Sequence, residues 1–365
     1  MGRAYEAGSA DRHAFVLLTL EIINMFGDND TKLDYADVLL VPRESELTSR
    51  AHIDVTVDHF DTQVVPIIAA NMDGVGTFEM AKALGKHKVM TALIKHYSLD
   101  DLLDFYSNED DSKYAIYSMG ATEADWKKFV DFDERCVDSD IAHPIAVCVD
   151  VANGYTSHLE RFVEEMREYY PDYILMVGNV VTPERTEDLI ERGADIVKIG
   201  IGPGSVCTTR LATGVGYPQF SAVLECAAAA DAAGGEICAD GGITCPGDIA
   251  KAYGAGAKYV MIGGLFAGHK EGMDEEAPLP TNHVPFYGMA SKEAQDKHNG
   301  GVADYRASEG KYVTVPFKGY VEPTLQEILG GLRSACTYIG AGGIDEMHRR
   351  AKFVKVYRQL NNIYS

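Results

Sequence analysis

Between Lys32 and Phe266, short apolar runs alternate with segments whose apolar residues recur at helical spacing. The runs are Val38–Val41, Val65–Ala70, Val89–Ile94, Tyr114–Ser118, Ile145–Val149, Ile174–Val177, Ile196–Ile199, Ile237–Ala239 and Tyr259–Ile262. Several are apolar throughout, the pattern of parallel strands covered on both faces. Helix punctuation fills the intervals. Thr77 caps a helix that runs through Met80 and Ala83 and stops near Gly85. Thr182-Pro183-Glu184 opens another that Gly193 closes, and Pro246 with Asp248 opens a third that reaches Gly254. About eight repeats of strand then helix predict an α/β fold of the closed (β/α)8 TIM-barrel class, not an open sheet.

Past Phe266 the repeat stops. Gly272–Pro285 is acidic and proline-bearing and reads as a surface excursion. Tyr287–Ser291 and Tyr305–Lys311 bracket a polar, helix-capable segment too long for a simple connector, placed to act as a lid. The expected organisation is an N-terminal extension over 1–31 and a single barrel catalytic domain over 32–365, with 271–312 as excursion and lid after the last strand. Gly330–Thr337 reads as the end of a helix and a turn, and Met347–Tyr357 as a basic helical tail.

A barrel of this class carries its chemistry in the loops at the C-terminal ends of the strands. Asn71-Met72-Asp73, Asp150–Gly154, Gly178-Asn179, Asp240-Gly241-Gly242 and Gly263-Gly264 fall there. The two glycine pairs follow the final strands, the usual phosphate position, and their adjacency favours that reading over the alternative of two tight turns. Gly200-Ile201-Gly202-Pro203-Gly204 leads into Cys207, with Thr208, Thr209 and Arg210 behind it. A soft nucleophile beside hydroxyls and free backbone dipoles suits covalent catalysis. The alternative is a buried small hydrophobe, the commoner fate of cysteine. No Walker lysine is present, and the glycine spacing is not that of a Rossmann loop, so a nicotinamide cofactor would bind on the barrel face.

Composition removes other classes. Acids outnumber bases 55 to 33, a formal charge of -22, which argues against nucleic-acid binding. The 7 cysteines are irregularly spaced with no C-x-x-C pair, so neither a disulfide framework nor structural zinc is expected, and a reducing cytoplasm fits best. Phe15–Phe26 is apolar, but Glu21 and Asn24 interrupt it, it is too short to span a bilayer, and it lacks a secretory signal's flanks. No membrane partner is expected.

Gly200–Gln219, with Asp240–Gly242, Gly263-Gly264, Tyr287–Met289 and Arg306–Lys311, closely resembles the IMP dehydrogenase/GMP reductase family. The resemblance runs from Lys32 to about Ile339 and favours the reductase branch. Gly214–Gln219 carries that branch's extra glycine and tyrosine, and Tyr305–Lys311 and Val315–Gly319 match its lid. Two dehydrogenase features are missing. Lys95–Ser98 leaves no room for the inserted nucleotide-sensing domain pair, and Tyr305-Arg306 reverses the order of the water-activating pair.

The resemblance implies that GMP and NADPH give IMP, ammonia and NADP. It makes Cys207 the nucleophile at purine C2, forming a thioimidate, and Thr209 with Glu309 the proton-transfer pair. It gives Asp240 to the ribose and Gly241, Gly242, Gly263 and Gly264 to the 5′-phosphate. Gly288, Met289, Ala290, Arg306, Ala307, Ser308 and Gly310 would surround the base. NADPH would take Ser49, Arg50, Lys95, Asp150, Val151, Ala152, Tyr305, Ser334, Ala335, Cys336 and Thr337, with part of that site drawn from a neighbouring subunit. Carbonyls of Gly202, Gly204 and Cys207, with Arg210 alongside, resemble the family's K⁺ site, and a homotetramer is the family's assembly. The chain departs from the pattern at Ala290, where the reductases commonly have serine; a modest change in GMP affinity is expected. Two other readings stay open: an IMP dehydrogenase, forming NADH from IMP without ammonia, and a catalytically silent nucleotide-binding barrel.

Overall fold

The structure, a computed structural model, describes residues 31–357 apart from 60, 274–278, 281 and 302–306. The chain falls into two compact units, Met1–Lys32 and Leu33–Ser365, and every element described here belongs to the second. The expected extension over 1–31 lies, but for its last residue, outside the described residues.

Two short strands, β1 (Val38–Leu40) and β2 (Val57–His59), precede eight parallel ones. These are β3 (Thr62–Ala69), β4 (Val89–Ala92), β5 (Ala115–Met119), β6 (Ala146–Asp150), β7 (Leu175–Val180), β8 (Ile196–Ile199), β9 (Glu236–Asp240) and β10 (Tyr259–Ile262). Each pairs with the next, and β10 returns to β3 through Val260–Ile67 and Ile262–Ala69, so the sheet closes. Closure leaves no free edge and makes every strand a buried one, which is why the runs read as apolar throughout.

Helices clad the outside: α1 (Phe78–Gly85), α2 (Leu99–Tyr106), α3 (Glu109–Ser112), α4 (Glu123–Ser139), α5 (Ser157–Tyr169), α6 (Pro183–Glu191), α7 (Thr209–Thr213), α8 (Gln219–Ala233) and α9 (Pro246–Gly254). Their starts are chemically marked. The Thr77 hydroxyl accepts from Met80 N–H, and Thr122 and Asp125 satisfy each other's backbone donors in a reciprocal box. On α4, Phe129, Phe132 and Cys136 recur at helical spacing and are buried. Phe129 and Phe132 pack on Tyr117 of β5 at centroid distances of 5.2 and 4.9 Å. Each buried ring contributes about 1.5–3 kcal/mol.

Between β10 and its helix lie an antiparallel ribbon, β11 (His283–Tyr287) with β12 (Tyr312–Pro316), and the helix α10 (Lys292–Asn299) between them. The long α11 (Glu322–Ile339) then completes the eighth strand-helix unit, and α12 (Met347–Arg350) and β13 (Phe353–Lys355) end the body. The (β/α)8 expectation holds.

Four readings need correction. Val38–Val41 is a strand but not a barrel strand: β1 pairs antiparallel with β13, Val38 opposite Lys355 and Leu40 opposite Phe353. The same pairing ends the basic helix early. Ala351 is extended, and Val41 N–H donates to the Lys352 carbonyl at 2.8 Å, so the tail is a strand from Phe353. His283–Pro285, expected in the surface excursion, is half of the ribbon, with Val284 and Phe286 buried. Gly330-Gly331 does not end a helix, because α11 runs on to Ile339. Glycine costs about 1 kcal/mol there relative to alanine. Packing offsets it: a Cβ on Gly331 would lie 2.6 Å from Pro246 Cβ, so its absence lets α9 and α11 approach.

Thr122→Ala removes the half of the box that starts α4 in which the threonine hydroxyl accepts from Asp125 N–H, and leaves the backbone N–H of residue 122 on the Asp125 carboxylate. Urea unfolding followed by circular dichroism should show a loss of about 1 kcal/mol.

Candidate active site

Parallel strands put all their C-terminal ends on one side, and the polar residues gather there. The loop after β8 is the tightest part. A Cβ on Gly200 would lie 2.0 Å from the Asp240 carbonyl, so the β8 and β9 loops can meet only because residue 200 has none. Pro203 covers Gly241 and Gly242, and Ser205 Oγ would lie 3.1 Å from a Cβ at Gly264. The loop therefore leans over both glycine pairs. Arg210 holds its shape: the aliphatic stem fills the space beside Gly202 and Gly216, and the guanidinium donates to the Tyr217 carbonyl at 2.5 Å and reaches Asp34 at 3.4 Å. The other Asp34 oxygen accepts from Gln219 N–H at 2.6 Å. The Arg210 side chain thus braces the loop.

Cys207 is partly exposed at the end of this loop. Opposite it runs Ser308–Lys311. Thr208 N–H donates to the Glu309 carbonyl at 2.8 Å and Lys311 N–H to the Val206 carbonyl at 2.9 Å. Gly310 bridges Cys207 on one side and Ser291 on the other, and Glu309 N–H donates to the Ala290 carbonyl at 3.1 Å. These backbone bonds aim the Glu309 side chain at the cysteine. The Cys207 thiol donates to Thr209 Oγ1 at 3.3 Å, and the Thr209 hydroxyl donates to Glu309 Oε2 at 2.7 Å. Thiol, hydroxyl and carboxylate form one chain of hydrogen bonds, joining residues 100 apart in sequence.

The other six cysteines differ. Cys245 is exposed, whereas Cys136, Cys148, Cys226, Cys238 and Cys336 are buried. Burial pushes the Cys148 and Cys226 thiols up to about 12 and those of Cys136 and Cys336 up to about 11.

Next to Cys207's loop, at the strand ends, sits a charge cluster built on one buried lysine and two partly exposed carboxylates. Lys198 of β8, 1% exposed, donates to Asp150 Oδ1 at 2.5 Å and lies 3.2 Å from Asp240 Oδ2. Burial alone would push its ammonium down; the two carboxylates more than offset that and hold it well above the ordinary lysine value. Asp150 shows the converse: burial opposes ionisation, but the Lys198 charge and hydrogen bond keep it below the usual carboxylate range. Asn179 Nδ2 donates to both the Gly200 carbonyl and Asp240 Oδ2 at 2.8 Å.

A second cluster ties the segment after β11 to the first two barrel loops. Asp73, 7% exposed, accepts from Tyr287 OH at 2.8 Å, Lys297 Nζ at 3.1 Å and His298 Nε2 at 2.8 Å. The His298 ring stacks on His96 at 3.8 Å, and Asp73 N–H approaches the Met289 sulfur at 3.3 Å. Burial would raise the Asp73 carboxyl; the hydrogen bonds from His298 and Tyr287 and the Lys297 charge outweigh it and hold it low. Burial and the neighbouring His298 push His96 down to about 4.

The expected site residues are thus brought together unevenly. Cys207, Thr209, Glu309, Gly288–Ala290, Ser308 and Gly310 meet around the loop, and Asp240–Gly242 and Gly263-Gly264 line its underside. Lys95 lies close enough for its charge to depress Asp150. Ser49 and Arg50 belong to a short turn, Arg50–His52, and Ser334–Thr337 to α11. No hydrogen bond or ion pair among the described residues links these two segments to Cys207. The Cys336 thiol is buried in the core, so it has no face to offer a ligand. Tyr305 and Arg306 lie outside the described residues. Asp34, Lys297 and His298 do not stand out in the sequence pattern; for Lys198 a lone lysine inside an apolar run is the available clue. Among the described residues no cluster of three or more His, Cys, Asp or Glu could hold a metal ion, and no helix is long and apolar enough to cross a membrane.

Asp73→Asn should lower stability at pH 7 by about 1–3 kcal/mol, read from urea unfolding. A depressed carboxyl contributes above its unfolded value of about 3.9 and loses that contribution as pH falls through the lower native value. The gap between native and variant should therefore close in strong acid.

Comparison with known proteins agrees with this geometry. The family model for the IMP dehydrogenase / GMP reductase domain matches residues 32–360. The chain is 50% identical over 346 residues to the GMP reductase of Photobacterium profundum, covering 92% of this chain and 98% of that one. It is 49% identical, with the same coverage, to the GMP reductases of Vibrio vulnificus and Aliivibrio fischeri. The chain is a member of the IMP dehydrogenase / GMP reductase family.

Proposed function

We propose that this protein catalyses the NADPH-dependent reductive deamination of GMP to IMP, with release of ammonia. The observation that carries the proposal is the Cys207–Thr209–Glu309 chain, with its bonds of 3.3 and 2.7 Å. Both hydrogens point toward Glu309. The thiol proton can pass to the carboxylate through Thr209, leaving a thiolate to attack C2 of the purine. The same proton, returned through Thr209 to the C2 amino group, lets that nitrogen leave as ammonia and the thioimidate form. NADPH, when bound, supplies the hydride to C2. Cys207 is then expelled as the thiolate and regains a proton from solvent, so the cycle balances.

The remaining residues bind. Asp240 suits the ribose hydroxyls, and backbone N–H groups at Gly241, Gly242, Gly263 and Gly264 suit the 5′-phosphate. Gly288–Ala290 and Ala307–Gly310, with Arg306, would enclose the base. Lys95, Asp150–Ala152, Ser49, Arg50, Tyr305 and the Ser334–Thr337 segment would hold NADPH. Lys95 and Arg50 offer positive charge to a 2′-phosphate. Carbonyls of Gly202, Gly204 and Cys207 are hard, neutral oxygen donors on a glycine-bearing loop, which suits K⁺ better than a divalent ion. The same reading takes 32–365 as one catalytic domain with 271–312 as its lid, in a cytoplasmic homotetramer.

The direct test follows nicotinamide absorbance and ammonia together, with GMP and NADPH in one arm and IMP and NAD in another. Turnover only in the first supports the proposal; turnover only in the second makes the protein a dehydrogenase. Cys207→Ala should abolish turnover and keep GMP binding within a few-fold. Glu309→Gln should slow ammonia release by about 10²–10⁴-fold with a far smaller change in nucleotide affinity.

With iodoacetamide, peptide mapping of the native protein should find label on Cys207 and Cys245 and spare the five buried thiols. GMP should protect Cys207 alone. Equal labelling of Cys207 with and without GMP would place the purine elsewhere.

A further inference from the structure

We propose that Lys198 is a positioning residue shared by the nucleotide and cofactor sites, holding Asp240 and Asp150 at one fixed separation so that both substrates dock in register. The inference rests on the reductase reading for what each carboxylate touches; the bridge itself is geometric. Lys198 is the only charged residue of β8, and its Nζ lies 2.5 Å from Asp150 and 3.2 Å from Asp240. An ammonium offers three N–H donors, and a buried one must place them. Two carboxylates brought this close without a cation would repel in a poorly solvated site. Each keeps a second, neutral donor: Asn179 on Asp240 at 2.8 Å and Asn71 on Asp150. Among the described residues, the lysine is therefore the group that bridges both.

The neighbouring strand is shaped to admit it. Gly178 of β7 pairs in register with Lys198, and a Cβ there would lie 2.5 Å from Lys198 Cβ. Any side chain at 178 would displace the lysine. A stabilising role alone does not account for this arrangement, because a buried ion pair is commonly no better than well-packed apolar groups of the same volume. What an apolar core could not do is fix two ligand-facing carboxylates at one separation.

The test uses the full-length chain, with K198M, K198R, D150N and K198M/D150N. K198M should raise the KM for GMP and the KM for NADPH together, each by at least about tenfold, the usual scale for losing a charged hydrogen bond. Its kcat at saturation should fall less than either. K198R, which keeps the charge in a longer side chain, should lie between K198M and the native enzyme. Should K198M fail to fold by circular dichroism, K198M/D150N carries the same net charge as the native trio. Calorimetric titration with IMP should then show about tenfold weaker binding than D150N alone. A folded K198M with both KM values within twofold of native, or with only one of them moved, overturns the bridge. Native protein that binds GMP in a Lys198-dependent way but turns nothing over would sink the reductase reading and leave the bridge standing.

Discussion

Two backbone hydrogen bonds, Thr208 N–H to the Glu309 carbonyl and Lys311 N–H to the Val206 carbonyl, hold the two halves of the candidate active site against each other. Everything that makes Cys207 more than an ordinary thiol depends on them, because its relay to Glu309 crosses between segments 100 residues apart. Pairing through main chain is indifferent to side-chain identity. That gives the departure at Ala290 a simple meaning: the group that receives Glu309 N–H is the Ala290 carbonyl, which serine would supply equally. The neighbouring Ser291 keeps its own hydroxyl as the cap of α10, accepting from Ala294 N–H. A missing hydroxyl at 290 leaves the frame intact.

The barrel and the segment inserted after β10 divide the work. Closed strands supply positions that cannot drift, and on them stand Asp150, Lys198 and Asp240. The segment from β11 to β12 supplies Glu309, but it is anchored twice: by Ser291 and Gly310 at the Cys207 loop, and by Asp73 through Tyr287, Lys297 and His298. Asp73 closes the circuit, since it belongs to the loop after β3 and so fastens the last insertion to the first barrel strand. One carboxylate with three donors is a strong clamp, and a clamp that depends on ionisation is one that acid can release.

Much of this is legible in the chain. Alternation of apolar runs and capped helices is enough for the barrel, because parallel strands and helix starts are written locally, as at Thr77 and Pro246. The glycine loop and Cys207 are legible as chemistry for the same reason. What escapes is non-local. The Gly330-Gly331 pair looks like a helix end until Pro246 is seen packed on it. Met347–Tyr357 looks helical until β1 is found alongside it. Nothing in the spacing of Glu309 points to Thr209; only family resemblance could join them. Lys198 is the exception, a charged residue inside Ile196–Ile199 whose cost of burial is visible before its partners are.

That cost bears on how a chain with a formal charge of -22 could take two polyanionic nucleotides. Surface charge is screened over about 8 Å at physiological ionic strength, so the excess of acids says little about the interior of the mouth. There the balance is local. Lys198 neutralises one of its two carboxylates, and Lys95 adds a second cation near Asp150. Glycine-rich backbone at 241–242 and 263–264 offers N–H dipoles without adding any charge. The Lys198 charge holds the Asp150 carboxyl low, so it stays a hydrogen-bond acceptor. Removing the lysine would leave two negative charges where the ligands bring several more. Two carboxylates within reach of one ammonium are what offset the desolvation of a fully buried cation.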